Sequence, residues 1–241
     1  VYTITRTYQR DKALLLEAHL DRLEESARLE GIALTLDREA LRAALRQMIA
    51  QSGYSELRFR ITVPRQQPDH LYLTLEPLAA PAPTLRTNGV KVATIPLHRE
   101  NPLAKNNTWM QQRQAAMAHL ASDIYEALLL DEAGHLLEGS SSNFYAVLRG
   151  ELRTAEAGIL KGISRKALLE VAAPLLPIRL EPIHRNELGD LAQAFLTSSS
   201  RGVIPIIQVD EVIIGEGLPH PQTLQLAVAY DAWTEAHLEA I

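Results

Sequence analysis

Lys105 stands in ENPLAKNNTW, between a proline and an expected helix and among neutral polar residues. It is one of only five lysines (positions 12, 91, 105, 161 and 166) among 24 basic residues, the rest being arginines. A lysine ε-amine held neutral by its surroundings can attack a carbonyl or act as a base. Spacing alone also allows an ordinary surface lysine. Two hydroxyl-rich clusters follow, GSSSN (139–143) and TSSSRG (197–202). Serine hydroxyls and loop amides converge well on a phosphate, particularly beside a helix N-terminus whose amides have no internal partner. LKGISRKALLEVA offers such a terminus, with Ser164 near the start of an apolar-periodic run. On composition alone the reading of both clusters as plain hydroxyl-rich loops takes precedence. The familiar catalytic patterns GxSxG, HExxH, the Walker loop and GxGxxG are absent, and the eight histidines show no metal-ligand spacing.

The elements that must position these residues alternate between strand and helix. VYTITRTY (1–8) is rich in β-branched and aromatic residues and predicts a strand, with a second short one at 13–16. Leu16, Leu20, Leu23 and Ala27 recur at helical spacing and predict an amphipathic helix ending near Gly31. Asp37 is a suitable N-cap for a second helix, with Leu41, Leu45, Met48 and Ile49 on its buried face and Gly53 closing it. Leu57, Phe59, Ile61 and Val63 alternate with polar residues, as do Leu71, Leu73 and Leu75, so two half-buried antiparallel strands are expected. Pro77, Pro81 and Pro83 then mark a boundary near 78–86. Beyond it the patterns predict a strand at VKVATIPL, a helix over 109–121 and hairpins around DEAGH and Arg149-Gly150. A helix from Ser164, strands at 195–197, 203–209 and 212–214, and a C-terminal helix led by Pro221 complete the expected order.

Composition narrows the classes. There is no cysteine, which removes disulfide scaffolds, thiolate metal sites and cysteine nucleophiles and suits a reducing compartment. A net charge of −5 argues against a broad nucleic-acid surface. No run approaches the ~18 apolar residues of a membrane-spanning helix.

Taken in order, the segments EAHLDRLEESARLEGI (17–32), the Lys105 region, EALLLDEAGHLLEGSSSNFYAV (126–147), LRTAEAGILKGISRKALLEVA (152–172) and FLTSSSRGVIPI (195–206) resemble the class IV aminotransferases. These are the pyridoxal 5′-phosphate (PLP) enzymes of fold type IV, which include D-amino-acid and branched-chain aminotransferases and aminodeoxychorismate lyases. The resemblance implies an α+β, two-domain fold: a small N-terminal α/β domain over 1–80, a linker over 81–86, and a larger β-barrel-like domain with helices over 87–241. It implies PLP as cofactor and assigns Lys105 to the lysine that binds it covalently. Glu138, 33 residues further on, falls to the carboxylate that pairs with the pyridine nitrogen. Arg22, Ile163, Ser164 and Ser199 match the phosphate-binding positions, and Leu160 the aliphatic residue that packs on the ring.

Some positions depart from the family pattern. Trp109 stands where many relatives have tyrosine, and PRQQPDH replaces an R-G loop that helps recognise substrate carboxylates. Tyr2 matches an aromatic residue near the substrate pocket, followed by Thr3 in place of a common glutamate. Tyr2, Arg60, Arg65, His70, Trp109 and Ser142 are therefore the weaker, substrate-facing candidates. The implied function is amino-group exchange between an amino acid, of D- or branched-chain type, and a 2-oxo acid. A lyase releasing pyruvate and 4-aminobenzoate is the alternative, and a non-catalytic PLP-binding relative the third reading. A cytoplasmic homodimer is expected, with no metal, membrane or nucleic-acid partner. Val1 aligns inside the family's first strand segment, so the sequence is expected to lack the family's usual first hairpin.

Overall fold

The computed structural model describes residues 1–97, 99 and 101–241; His98 and Glu100, the latter opening ENPLAKNNTW, lie outside the described residues. In chain order the elements are β1 (Tyr2–Arg6), β2 (Lys12–Leu14), α1 (Leu16–Leu29), α2 (Arg38–Ser52), β3 (Leu57–Thr62), β4 (Tyr72–Pro77), α3 (Thr84–Asn88), β5 (Val90–Ile95) and α4 (Asn107–Met117). There follow β6 (Ile124–Leu130), β7 (His135–Gly139), β8 (Asn143–Leu148), β9 (Glu151–Arg153), α5 (Ile163–Ala172), β10 (Ile178–Arg179), β11 (Ile183–His184) and a 3₁₀ turn at Arg185–Asp190. The chain ends with β12 (Leu191–Ser198), β13 (Gly202–Val209), β14 (Val212–Ile213), α6 (Pro221–Ala236) and β15 (Leu238–Ala240). Two compact units result: Val1–Ala80 with Leu103–Thr108 and Thr234–Ile241, and Pro81–Pro102 with Trp109–Trp233. No helix among the described residues is long and apolar enough to cross a membrane.

The first unit is an antiparallel sheet, β1-β3-β4, covered by α1 and α2. The alternation of β3 sends Leu57, Phe59 and Ile61 into one core with Leu16, Leu20, Leu23 and Ala27 of α1 and Leu41, Leu45 and Ile49 of α2. The Asp37 carboxylate accepts from Ala40 N–H at 2.9 Å, and Gly53 closes α2 at φ +72°. Asp37→Ala should therefore lower stability by about 1 kcal/mol, read as a shift of the denaturant midpoint; an unchanged midpoint would show that α2 holds by packing alone. The strand expected at 13–16 stops at Leu14. Leu15 takes a left-handed conformation at φ 44° and Leu16, fully buried, opens α1. No side chain of its own caps that start; Glu17 N–H donates instead to the Glu239 carboxylate at 2.8 Å, presented by β15, which pairs with β2.

Residues 81–86, expected as a linker, cluster with the second unit. Pro83, with φ near the helical value, leads directly into α3, whose Leu85 packs on the core and whose Arg86 pairs with Asp231. The second unit holds a mixed sheet in which β8-β12-β13-β5-β6-β7 closes on itself where Glu138 of β7 pairs with Asn143 of β8. In this barrel β5 runs parallel to both neighbours and the other pairs are antiparallel. β8 is buried on both faces, whereas β5 buries Val90 and Val92 and leaves its other residues half-buried. In β8, Phe144, Ala146 and Leu148 join one core with Val92, Leu128, Leu196 and Ile204, while Tyr145 and Val147 join another with Leu168 of α5 and Leu226 of α6. A strand with apolar neighbours on each side reads as a continuous apolar run, as NFYAVL does.

Candidate active site

In the first unit β1 and α1 converge on the loop carrying Lys105. Tyr2 N–H donates to Lys105 O at 2.9 Å, and Lys105 N–H donates to Ser26 Oγ at 3.2 Å. These bonds fix the main chain of Lys105, and its Nζ lies 5.0 Å from the centre of the buried Tyr2 ring. The same ring carries the Arg60 guanidinium at 4.0 Å, which also reaches Thr62 Oγ1 at 2.9 Å and Asn107. Arg22 Nη2 donates to Thr3 Oγ1 at 3.3 Å and to His19 Nδ1 at 3.4 Å, and Thr3 Oγ1 lies 3.0 Å from the same nitrogen. An arginine can only donate, so Nδ1 is an acceptor and the ring proton sits on Nε2. His19 is also held neutral by its surroundings: burial first, then the positive charges of Arg22 and Lys105, hold its pKa well below the ordinary histidine value. The first unit thus brings together Tyr2, Arg22, Arg60 and Lys105. Arg65 is exposed in an ion pair with Glu30 at 2.6 Å, and His70 lies on an exposed turn.

The second unit holds the remaining candidates. Glu138 is buried at the barrel closure. Its Oε2 accepts from Leu160 N–H at 3.2 Å and Asn143 Nδ2 at 3.4 Å, and Asn143 Nδ2 also donates to Leu160 O at 2.8 Å. Gly162 allows this packing, because a Cβ there would stand 2.3 Å from Asn143 Oδ1. On its other oxygen Glu138 pairs with Arg99 Nε at 2.7 Å, and the Arg99 guanidinium lies 4.5 Å from the centre of the Trp109 ring. Trp109 Nε1 donates to Ser140 O at 3.2 Å, so the residue in the tyrosine position anchors the GSSSN loop by an indole N–H. α5 starts at Ile163 without a side-chain cap, leaving its first amides available, and Ser164 Oγ donates to Ser199 Oγ at 3.3 Å. The second serine cluster therefore meets the start of α5. The Ser142 hydroxyl is buried and has no hydrogen-bond partner among the described residues.

A buried carboxylate at the strand closure and a helix start with open amides beside two serine hydroxyls, both within the second unit, and, within the first, a lysine backed by an aromatic ring are each of a kind that pyridoxal phosphate requires. The first can meet a protonated ring nitrogen, the second a phosphate, the third an aldehyde. Sequence reasoning missed four contributors. Arg99 follows a strand with no pattern around it. Glu126 and Arg201 lie inside quoted motifs, but nothing local marks them as an ion pair. His19 carried a usable signal, since it precedes Arg22 by one helical turn on the same face.

Comparison with known proteins adds the family. The model of amino-transferase class IV matches residues 1–209. The branched-chain-amino-acid aminotransferase of Pseudomonas aeruginosa is 29% identical over 93% of this chain and 80% of its own length. The D-alanine aminotransferase of Bacillus licheniformis is 28% identical over 95% and 85%. The structure of a branched-chain aminotransferase from Thermoproteus uzoniensis with norvaline, at 24% identity, superposes with a TM-score of 0.83 over all of this chain and 89% of that one, which shows a common fold. With the family pattern running from β1 to the end of β13, this chain belongs to the class IV aminotransferases and is a pyridoxal-phosphate-dependent transferase.

Proposed function

We propose that the enzyme moves the amino group of a branched-chain or D-amino acid to a 2-oxo acid. The observation that carries this reading is the presence together, on the family's own segments, of Lys105 and a buried, doubly hydrogen-bonded Glu138. The names of the relatives, branched-chain and D-alanine aminotransferases, support the substrate class. Bound pyridoxal phosphate supplies an electron sink for the pair left on the substrate α-carbon when its proton departs. Lys105 Nζ would be the group that holds the cofactor and the base that takes the proton from the α-carbon. Glu138 would accept the ring N–H, and Leu160 would pack against the ring. The Ile163 and Ser164 amides, the Ser164 and Ser199 hydroxyls and the Arg22 fork would be the groups that receive the phosphate. Tyr2, Trp109 and Ser142 border the substrate. Arg60, stacked on Tyr2, is better placed for a substrate carboxylate than the exposed Arg65.

The test is a panel of amino donors in both enantiomers, each added to the holoenzyme without an acceptor and followed by absorbance. Branched-chain or D-donors should convert the lysine-bound cofactor to its pyridoxamine form, and a 2-oxo acid should reverse the change. A panel in which none does so, or pyruvate release from aminodeoxychorismate without any acceptor, would overturn the reading. The same reading makes the protein a cytoplasmic homodimer; light scattering that gives only the monomer mass counts against the dimer.

A further inference from the structure

The two serine clusters are held by one charge pair, a buried Glu126 and a half-buried Arg201, that the chemistry above does not use. Glu126, at the start of β6, is almost fully buried, and Arg201 closes the turn between β12 and β13. Arg201 Nη1 meets Glu126 Oε2 at 2.8 Å. Glu126 Oε1 accepts from Ser141 N–H, from Ser141 Oγ at 2.9 Å and from Ser140 Oγ at 3.3 Å, all in the first cluster. Arg201 Nε donates to Ser198 Oγ at 2.8 Å in the second cluster, while Nη2 crosses to Ser141 Oγ at 2.9 Å and Ser141 O at 3.3 Å. The Tyr125 ring backs the guanidinium at 5.5 Å. Gly139 is needed at the crossing point, since a Cβ there would stand 2.2 Å from Ser142 Oγ and 2.8 Å from Glu126 Oε1. Burial alone would push the Glu126 carboxyl up, but Arg201 and the Ser141 N–H hold it below the ordinary glutamate value, so it is ionised and binds as a charge.

We propose that Glu126 and Arg201 are positioning residues for phosphate recognition. They lock the 139–143 loop to the turn that carries Ser199, and so set Ser199 against Ser164 at the start of α5. Only an arginine can do this work: its planar fork bonds Ser198, Glu126 and Ser141 at once, whereas a lysine is a single point donor. Neither residue is assigned to the cofactor itself. Their effect passes through the serine they position, and it should therefore be felt by the phosphate and not by the ring. This inference rests on the reading of Ser164 and Ser199 as phosphate ligands.

The experiment compares the affinity of the apoprotein for pyridoxal 5′-phosphate and for pyridoxal, which lacks the phosphate, by absorbance and tryptophan fluorescence. Three proteins are used: the parent, R201K, and E126Q/R201M. The double variant removes both charges together, so that no lone buried charge is left to unfold the barrel. In the parent the phosphate-bearing ligand should bind far more tightly. In both variants that preference should fall about tenfold or more, the weight of one charge-assisted hydrogen bond, with pyridoxal affinity unchanged. Variants that keep the full preference overturn the proposal, and so does an equal loss for both ligands, which would make the pair a general support of the fold. A parent without any preference overturns instead the phosphate reading of Ser164 and Ser199, and the proposal falls with it.

Discussion

Lys105→Ala should abolish amino transfer, lowering the turnover rate by at least about 10²–10⁴-fold, the usual weight of a positioned proton-transfer group, while leaving the fold intact. The contacts that hold this loop are made by the Lys105 main chain, through Tyr2 N–H and Ser26 Oγ, and alanine retains both. What alanine removes is the amine beside the Tyr2 ring. Thermal midpoint and circular dichroism of the variant should therefore match the parent. Borohydride reduction of the holoenzyme followed by peptide mapping should place the pyridoxyl group on Lys105. A label on any other lysine, or a variant within about tenfold of parental activity, would refute the assignment.

Glu138→Gln should be costly twice over. The amide keeps the shape and still accepts from Leu160 N–H, but it removes the charge that faces Arg99 at 2.7 Å in a buried setting. An unpaired buried guanidinium costs about 3–5 kcal/mol, so the denaturant midpoint should drop clearly. Activity should fall by about 10²–10³-fold, the loss typical of removing one preorganised charge from an active site. The double variant E138Q/R99M separates the two effects. Replacing both charges relieves the orphaned cation, so stability should return towards the parent while activity does not. Recovery of activity in the double variant would show that Glu138 acts through the fold and not on the cofactor ring.

Much of the local structure was legible because it is written in short-range periodicity. The Leu16–Leu20–Leu23–Ala27 stripe, the Asp37 cap and Gly53 stop of α2, and the alternation of β3 each depend on residues within a few positions of one another. The start of α1 was not legible, since its cap is Glu239, which reaches Glu17 from the opposite end of the chain. For the same reason the proline-rich stretch gave no hint that Leu85 would join a core.

The site divides in the same way. Lys105, Glu138 and the serine clusters are recognisable from motif order, because their chemistry demands particular residue types on particular segments. Arg99 and the Glu126–Arg201 pair became visible only once strands distant in sequence were joined. Glu126 and Arg201 are 75 positions apart and meet because β6 and β13 both flank β5. The closure that seats Glu138 against Asn143 and Leu160 likewise depends on β7 returning to β8. Sequence by itself, through the order of its motifs, named the side chains expected to bind an aldehyde, a phosphate and a ring nitrogen. Tertiary structure decided which buried charges hold them in place, because a charge withdrawn from water must find its partner wherever the fold brings one, at whatever distance along the chain.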